Sequence, residues 1–163
     1  MQPDELLTIL HTAQRLKDTT RHCYTAQRRH ESVAEHSWRV SLMAYFLRSE
    51  FPRLDMDKVI AMCLIHDLGE CFTGDLPTFD KTEADTARED ALLAQWVSQL
   101  PPPYCREMAA RDQEMDALET PEARLYKALD KLVAVISHNE SPLDTWLPLE
   151  YELNMTYGDE NVS

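Results

Sequence analysis

The sequence predicts an all-α fold. Apolar residues recur three and four apart along most of the chain, no run alternates Val, Ile or Thr with polar residues, and only three Gly stand among 163 residues rich in Leu, Ala and Glu. A chain of this length suits one domain, residues 1–163, with a single core.

Pro3 opens the first helix, with Asp4 and Glu5 in its first turn and Leu6, Leu7, Ile9, Leu10, Ala13 and Leu16 as an amphipathic stripe that would cover the core. From Arg15 to His30 the charge reverses: Arg15, Lys17, Arg21, Arg28 and Arg29 face only Asp18, which reads as a solvated basic loop or as an anion site. Ser32 and Glu35 have capping-box spacing and start a helix running to Phe51-Pro52, in which His36 shares a stripe with Val40, Met43 and Leu47. Asp55 or Asp57 caps a third helix. Its Val59, Met62, Cys63, His66 and Glu70 share a face until Gly74 and Pro77 stop it and place Asp75 on a tight turn. Thr82 with Asp85 starts a helix to about Leu100 on Ala84, Ala87, Ala91, Leu92, Trp96 and Val97, whose polar rows look like an outer face. Three prolines at 101–103 break the chain before a short helix through Met108, Met115 and Leu118. Thr120-Pro121 begins a long helix with Leu125, Leu129, Leu132 and Ile136 along one side and Asp130 turned inward. Trp146, Leu147, Leu149, Leu153 and Met155 suggest a last amphipathic helix.

A formal charge of −13 opposes binding to long nucleic acids or anionic membranes and leaves small ligands open. No apolar run approaches spanning length, and MQPDELLTIL carries acids where a secretory signal carries basic residues. Cys23, Cys63, Cys71 and Cys105 form no C-x-x-C pair, so a reduced, cytoplasmic setting is expected and a thiolate metal site is not.

Chemistry concentrates in three helices. A His-Asp dipeptide occurs often by chance, and a lone core histidine is commonly a hydrogen-bonded structural residue; the buried Asp130 would equally suit an ion pair with Lys131 or an arginine of the basic stretch. Taken together, His36, His66, Asp67 and Asp130 make a two-histidine, two-carboxylate set. It suits one divalent transition ion, Mn²⁺, Co²⁺, Fe²⁺, Ni²⁺ or Zn²⁺, with positions left for water.

The order H, HD, D on helices resembles the HD-domain superfamily of metal-dependent phosphohydrolases. The strings ESVAEHS, HDLGECFTGDLP and LDKL resemble its branch of bacterial 5′-deoxynucleotidases and their hydrolase relatives, over roughly His11 to Glu140 with a motif core about 32–140. The resemblance implies an HD-domain bundle of about six or seven helices around a buried metal site. It implies His36, His66, Asp67 and Asp130 as ligands, Glu70 and Asp75 as acid and base in an order left open, and a homodimer. An Arg-Trp pair in those enzymes lies against phosphate and sugar; counting back from His36 puts Arg21-His22 there, so the arginine is kept and the preference for deoxy over ribo substrates is left open. Lys131 or Arg29 would help Arg21 offset phosphoryl charge. The implied activity is phosphate release from (deoxy)nucleoside monophosphates. Hydrolysis of a triphosphate, an alarmone or a cyclic nucleotide, or a regulator that binds metal or nucleotide without turnover, are the alternatives.

Overall fold

In the computed structural model, which describes residues 1–77 and 79–157, helices α1 (Pro3–Ala13), α2 (Val33–Phe46), α3 (Met56–Ile65), α5 (Glu83–Ser98), α6 (Tyr104–Ala117) and α7 (Pro121–Glu140) carry the fold. Single-turn helices α4 (Glu70–Thr73) and α8 (Glu150–Leu153) accompany them. The predicted caps form: Ser32 and Glu35 make a reciprocal capping box, as do Thr82 and Asp85, Asp55 accepts from the Lys58 amide, and Thr120 accepts from that of Ala123.

The main core lies where α2, α3 and α7 meet. Val40 and Ala44, Val59, Met62 and Cys63, and Ala123, Tyr126, Leu129 and Val133 pack there. A second cluster of Leu93, Val97 and Leu100, with Trp96 beside it, holds α5 against Ile9 of α1 and Met108 of α6. The core thus lies one turn along α2 from His36, at Val40, and one turn back along α3 from His66, at Met62 and Cys63.

Several expectations change. The basic stretch is a short antiparallel hairpin, β1 (Thr20–Tyr24) against β2 (His30–Ser32), with Thr20 opposite Ser32 and Tyr24 opposite His30; Arg28, at φ 61°, turns the chain. Helix α2 ends at Phe46, five residues short of Phe51, in turns that precede the restricted position before Pro52. The third helix stops at Ile65: Leu68, Glu70, Cys71 and Phe72 donate three residues back, which winds His66–Gly69 more tightly than an α-helix. Gly69 is required there because a β-carbon would fall 2.7 Å from Glu89 Cγ, and Gly74, at φ 79°, makes the expected stop.

On α1 the stripe is largely exposed; among its residues Ile9 reaches a core cluster, and Leu16 is buried just beyond the helix. The buried side of α5 is Leu93, Val97 and the following Leu100, while Ala84, Ala87 and Ala91 are exposed, and its Glu89 turns inward to Thr73 and Lys81. On α7 the inner side is Ala123, Tyr126, Leu129, Val133 and Ser137, with Leu132 exposed. The expected last helix is a 3₁₀ turn at Leu143–Thr145 and the one turn of α8, and Leu147, Leu149, Leu153 and Met155 are exposed.

Candidate metal and phosphate site

His36 sits one turn into α2 on the row that continues through Val40 and Ala44, and its side chain is fully buried. His66 caps the C-terminal end of α3, with Asp67 in the tight turn that follows. Asp130 projects from the middle of α7. Their side chains converge: His36 Nε2 lies 2.9 Å and His66 Nε2 3.3 Å from Asp130 Oδ1, and His66 Nε2 lies 3.1 Å from Asp67 Oδ2. Ligand atoms of His36, His66 and Asp67 all lie within 4.8 Å of one another. Asp130 bridges the two imidazoles outside that tightest set.

His66 Nδ1 is 2.9 Å from the Cys63 carbonyl, an oxygen that can only accept, so Nδ1 carries the hydrogen and Nε2 faces the site. There it meets two carboxylate oxygens, which also only accept. His66 Nε2 and Asp67 Oδ2 are buried without a hydrogen-bond partner of sound geometry, as is His36 Nδ1. Burial opposes charge on His66, but Asp67 and Asp130 outweigh it and raise its pKa to about 10. Asp67 and Asp130 are lowered: burial pushes each upward, and His66 above all pulls it down. A proton on His66 thus plays the cation among these groups. A divalent ion fits the same donor set and would replace that proton, since imidazole nitrogen and carboxylate oxygen are ordinary ligands for such ions.

Two further acids stand close by. Burial first, then Asp67 and Asp75, push the Glu70 carboxyl up to about 9, and its Oε2 is buried without a partner. Asp75 is raised as well, by burial against the pull of Arg21. Arg21 points from β1 into this group, its Nη1 3.9 Å from Asp67 Oδ2; burial opposes its charge, and Asp67, Cys23, Asp130 and Asp75 hold it on. The structure therefore brings His36, His66, Asp67, Glu70, Asp75, Asp130 and Arg21 to one place.

His22 is the neighbour of Arg21 on the strand and reaches a different group, its Nε2 2.9 Å from Glu150 Oε1 and its ring edge-on to Phe79 at 5.7 Å. Lys131 places its ammonium 5.6 Å from the Tyr157 ring. The cation on Asp130 is Lys127, whose Nζ donates to Oδ2 at 2.9 Å; a residue three positions back faces Asp130 on a helix, and one position on does not. Arg29 is committed to Glu35. Sequence reasoning did not single out Lys127 or the buried Glu31. The i, i+3 spacing was the signal for Lys127, and Glu31 gave none beyond its place ahead of a cap.

Human 5′-deoxynucleotidase HDDC2 is 29% identical over 119 residues, which cover 72% of this chain and 57% of that protein. The dATP triphosphohydrolase of Cyanophage S-2L is 35% identical over 109 residues, covering 65% of this chain and 55% of that one. The chain thus spans little more than half the length of these curated relatives. Among solved structures, a "predicted metal-dependent phosphohydrolase" from Magnetospirillum magnetotacticum MS-1 matches with a TM-score of 0.73 at 31% identity, covering 82% of this chain and 69% of that one. The HD domain family model matches residues 13–163, a span that includes both histidines, the His-Asp pair and Asp130, and on this ground the chain belongs to the HD domain family.

Proposed function

We propose that the protein is a metal-dependent phosphohydrolase, a 5′-nucleotidase that releases phosphate from (deoxy)nucleoside monophosphates. One observation carries the reading: two buried histidines and the carboxylates of Asp67 and Asp130 converge within contact distance and leave His66 Nε2 and Asp67 Oδ2 without hydrogen-bond partners, beside the buried Arg21. The relatives named as a 5′-deoxynucleotidase and a metal-dependent phosphohydrolase support it.

His36, His66, Asp67 and Asp130 would hold one divalent ion, Mn²⁺, Co²⁺, Fe²⁺, Ni²⁺ or Zn²⁺. When bound, such an ion supplies a Lewis acid and an acidified water for attack on phosphorus. Lys127 occupies one oxygen of Asp130 and so leaves the other to the site. Arg21 offers a planar fork to the phosphoryl oxygens. Glu70, whose carboxyl burial pushes up to about 9 in the metal-free protein, suits proton donation to the leaving 5′-oxygen, and Asp75 is then the partner acid that orients water. His22, next to Arg21 on β1, is the candidate to meet sugar or base, whereas Lys131 turns to the Tyr157 ring and no substrate contact is assigned to it. The protein would work as one HD domain in the cytoplasm. Pairing into a homodimer is supported by the exposed row Trp38, Leu42, Tyr45 and Phe46 on α2. No helix among the described residues is long and apolar enough to cross a membrane, and the four cysteines are unpaired.

The test is phosphate release from a panel of deoxy- and ribonucleoside monophosphates by metal-stripped protein reloaded with each ion in turn. Metal-dependent release that disappears in Asp67→Ala upholds the reading; no release with any ion, while metal still binds, ends it. The likeness to a dATP triphosphohydrolase favours a second reading, attack on a nucleoside triphosphate. It is separated by the product, triphosphate rather than single phosphate.

A further inference from the structure

A second buried acid stands directly behind Arg21. Glu31, on β2, is 7% exposed, and its Oε2 lies 3.4 Å from Arg21 Nε, an ion pair short of hydrogen-bond geometry. The carboxylate is itself fixed. Ser137 Oγ, on α7, donates to Oε1 at 3.1 Å, and the Cys23 thiol donates to Oε2 at 3.2 Å. That thiol is a neutral donor, since burial and then Glu31 push its pKa up to about 12. Arg39 Nη1 in turn donates to Ser137 Oγ at 3.2 Å, which ties α2 into the same group. A buried carboxylate held from two sides costs too much desolvation to be there for packing alone. Its position explains its use: it stands at Nε, at the rear of the guanidinium, while Nη1 at the front lies 3.9 Å from Asp67 Oδ2.

We infer that Glu31 is a positioning residue for Arg21, aiming its guanidinium at an anionic phosphoryl group over Asp67 and His66. The inference rests on the phosphohydrolase reading for its substrate, though not for its geometry. Glu31 touches no substrate atom. It acts through the arginine, so its loss weakens recognition of phosphate and leaves recognition of base and sugar alone.

The experiment uses the metal-loaded full chain, as wild type, Glu31→Gln, Arg21→Ala and the double variant. Inorganic phosphate and the product nucleoside are each tested as competitive inhibitors of monophosphate hydrolysis, and metal content is measured. In Glu31→Gln the KM and the inhibition constant of phosphate should both rise about tenfold, while that of the nucleoside and the metal content hold steady. The double variant should be no worse than Arg21→Ala. An unchanged phosphate constant, a nucleoside constant that rises in step, or additive losses would each overturn the proposal. If Glu31→Gln does not fold, Ser137→Ala, which frees one carboxylate oxygen, should give a smaller shift in the same direction, and no shift there overturns it too. If the wild type hydrolyses nothing, phosphate binding is read by calorimetry. Binding weakened by Glu31→Gln then keeps the inference and sinks the hydrolase reading; binding unaffected by it, or absent in the wild type, sinks the inference.

Discussion

Two buried polar clusters lie side by side in this bundle, and they differ in one respect. Around Glu31 each carboxylate oxygen accepts a hydrogen bond, Ser137 both donates and accepts, and Arg39 ends the chain of contacts in a two-pronged pair with Glu140 at 2.8 Å. Around His66 two carboxylates crowd the two imidazoles, and His66 Nε2 and Asp67 Oδ2 are left without hydrogen-bond partners of sound geometry. In the first cluster the protein itself satisfies both oxygens of the buried carboxylate, and only Arg21 Nε beside it lacks a hydrogen bond. The second is complete only with a cation, and a protein keeps such a defect in its interior where a ligand repays it. The site is thus recognisable from what its residues fail to satisfy among themselves.

The sharpest way to break this contrast is to supply the cation. Metal-stripped protein titrated with Mn²⁺, Co²⁺ or Zn²⁺ should gain about 2.7 kcal/mol when free ion reaches about a hundred times its dissociation constant. For a chain of this size that is a rise in Tm of roughly 5–10 °C by calorimetry. Asp67→Ala should cut metal affinity by more than about a hundredfold and lose the rise. A stripped protein whose melting no divalent ion changes would make the cluster a structural charge network like its neighbour.

A second effect separates the clusters by pH. Burial, then Asp67 and Asp75, raise Glu70 from about 4.5 to about 9, so between those values the folded metal-free protein holds a proton that the unfolded chain has released. The stability this lends is full below about pH 4.5 and is lost as pH rises through 9. Urea titrations of stripped wild type and Glu70→Gln should therefore diverge across that window by up to about 1.4 kcal/mol per pH unit, the variant showing the flatter profile. Parallel profiles would show that Glu70 is ionised like an ordinary carboxylate. They would also remove its claim to be the proton donor.

The histidines and acids on α2, α3 and α7 were legible because helical spacing alone decides which side of a helix faces the core. His36 on the Val40 row and Asp130 between Tyr126 and Val133 needed nothing else. The hairpin was not legible: Thr20–Tyr24 shows no alternation of apolar and polar residues, and its pairing is made with residues near His36 that sequence periodicity cannot see. The break after Ile65 hid for a related reason. The tight turn at His66–Gly69 answers to the close approach of Glu89 from α5 as much as to local preference. Composition also misled at the C-terminal end, where Trp146 packs at a tilt against His138 and Glu150 pairs with His22 while the leucines stay exposed.

The least of the expected effects concerns the outer end of the Glu31 cluster. Arg39 and Glu140 pair in good geometry, but their side chains are 32% and 56% exposed, so solvent and salt screen the attraction. Arg39→Ala should then cost under about 1 kcal/mol in urea unfolding, and less still at high salt. Ser137→Ala, one contact further in, strips a donor from a buried carboxylate and should cost about 1–3 kcal/mol with little dependence on salt. That order places the stability of the cluster in its buried hydrogen bonds. If Arg39→Ala proves the costlier change, the outer ion pair fastens α2 to α7, and Glu31 depends on it to stay behind Arg21.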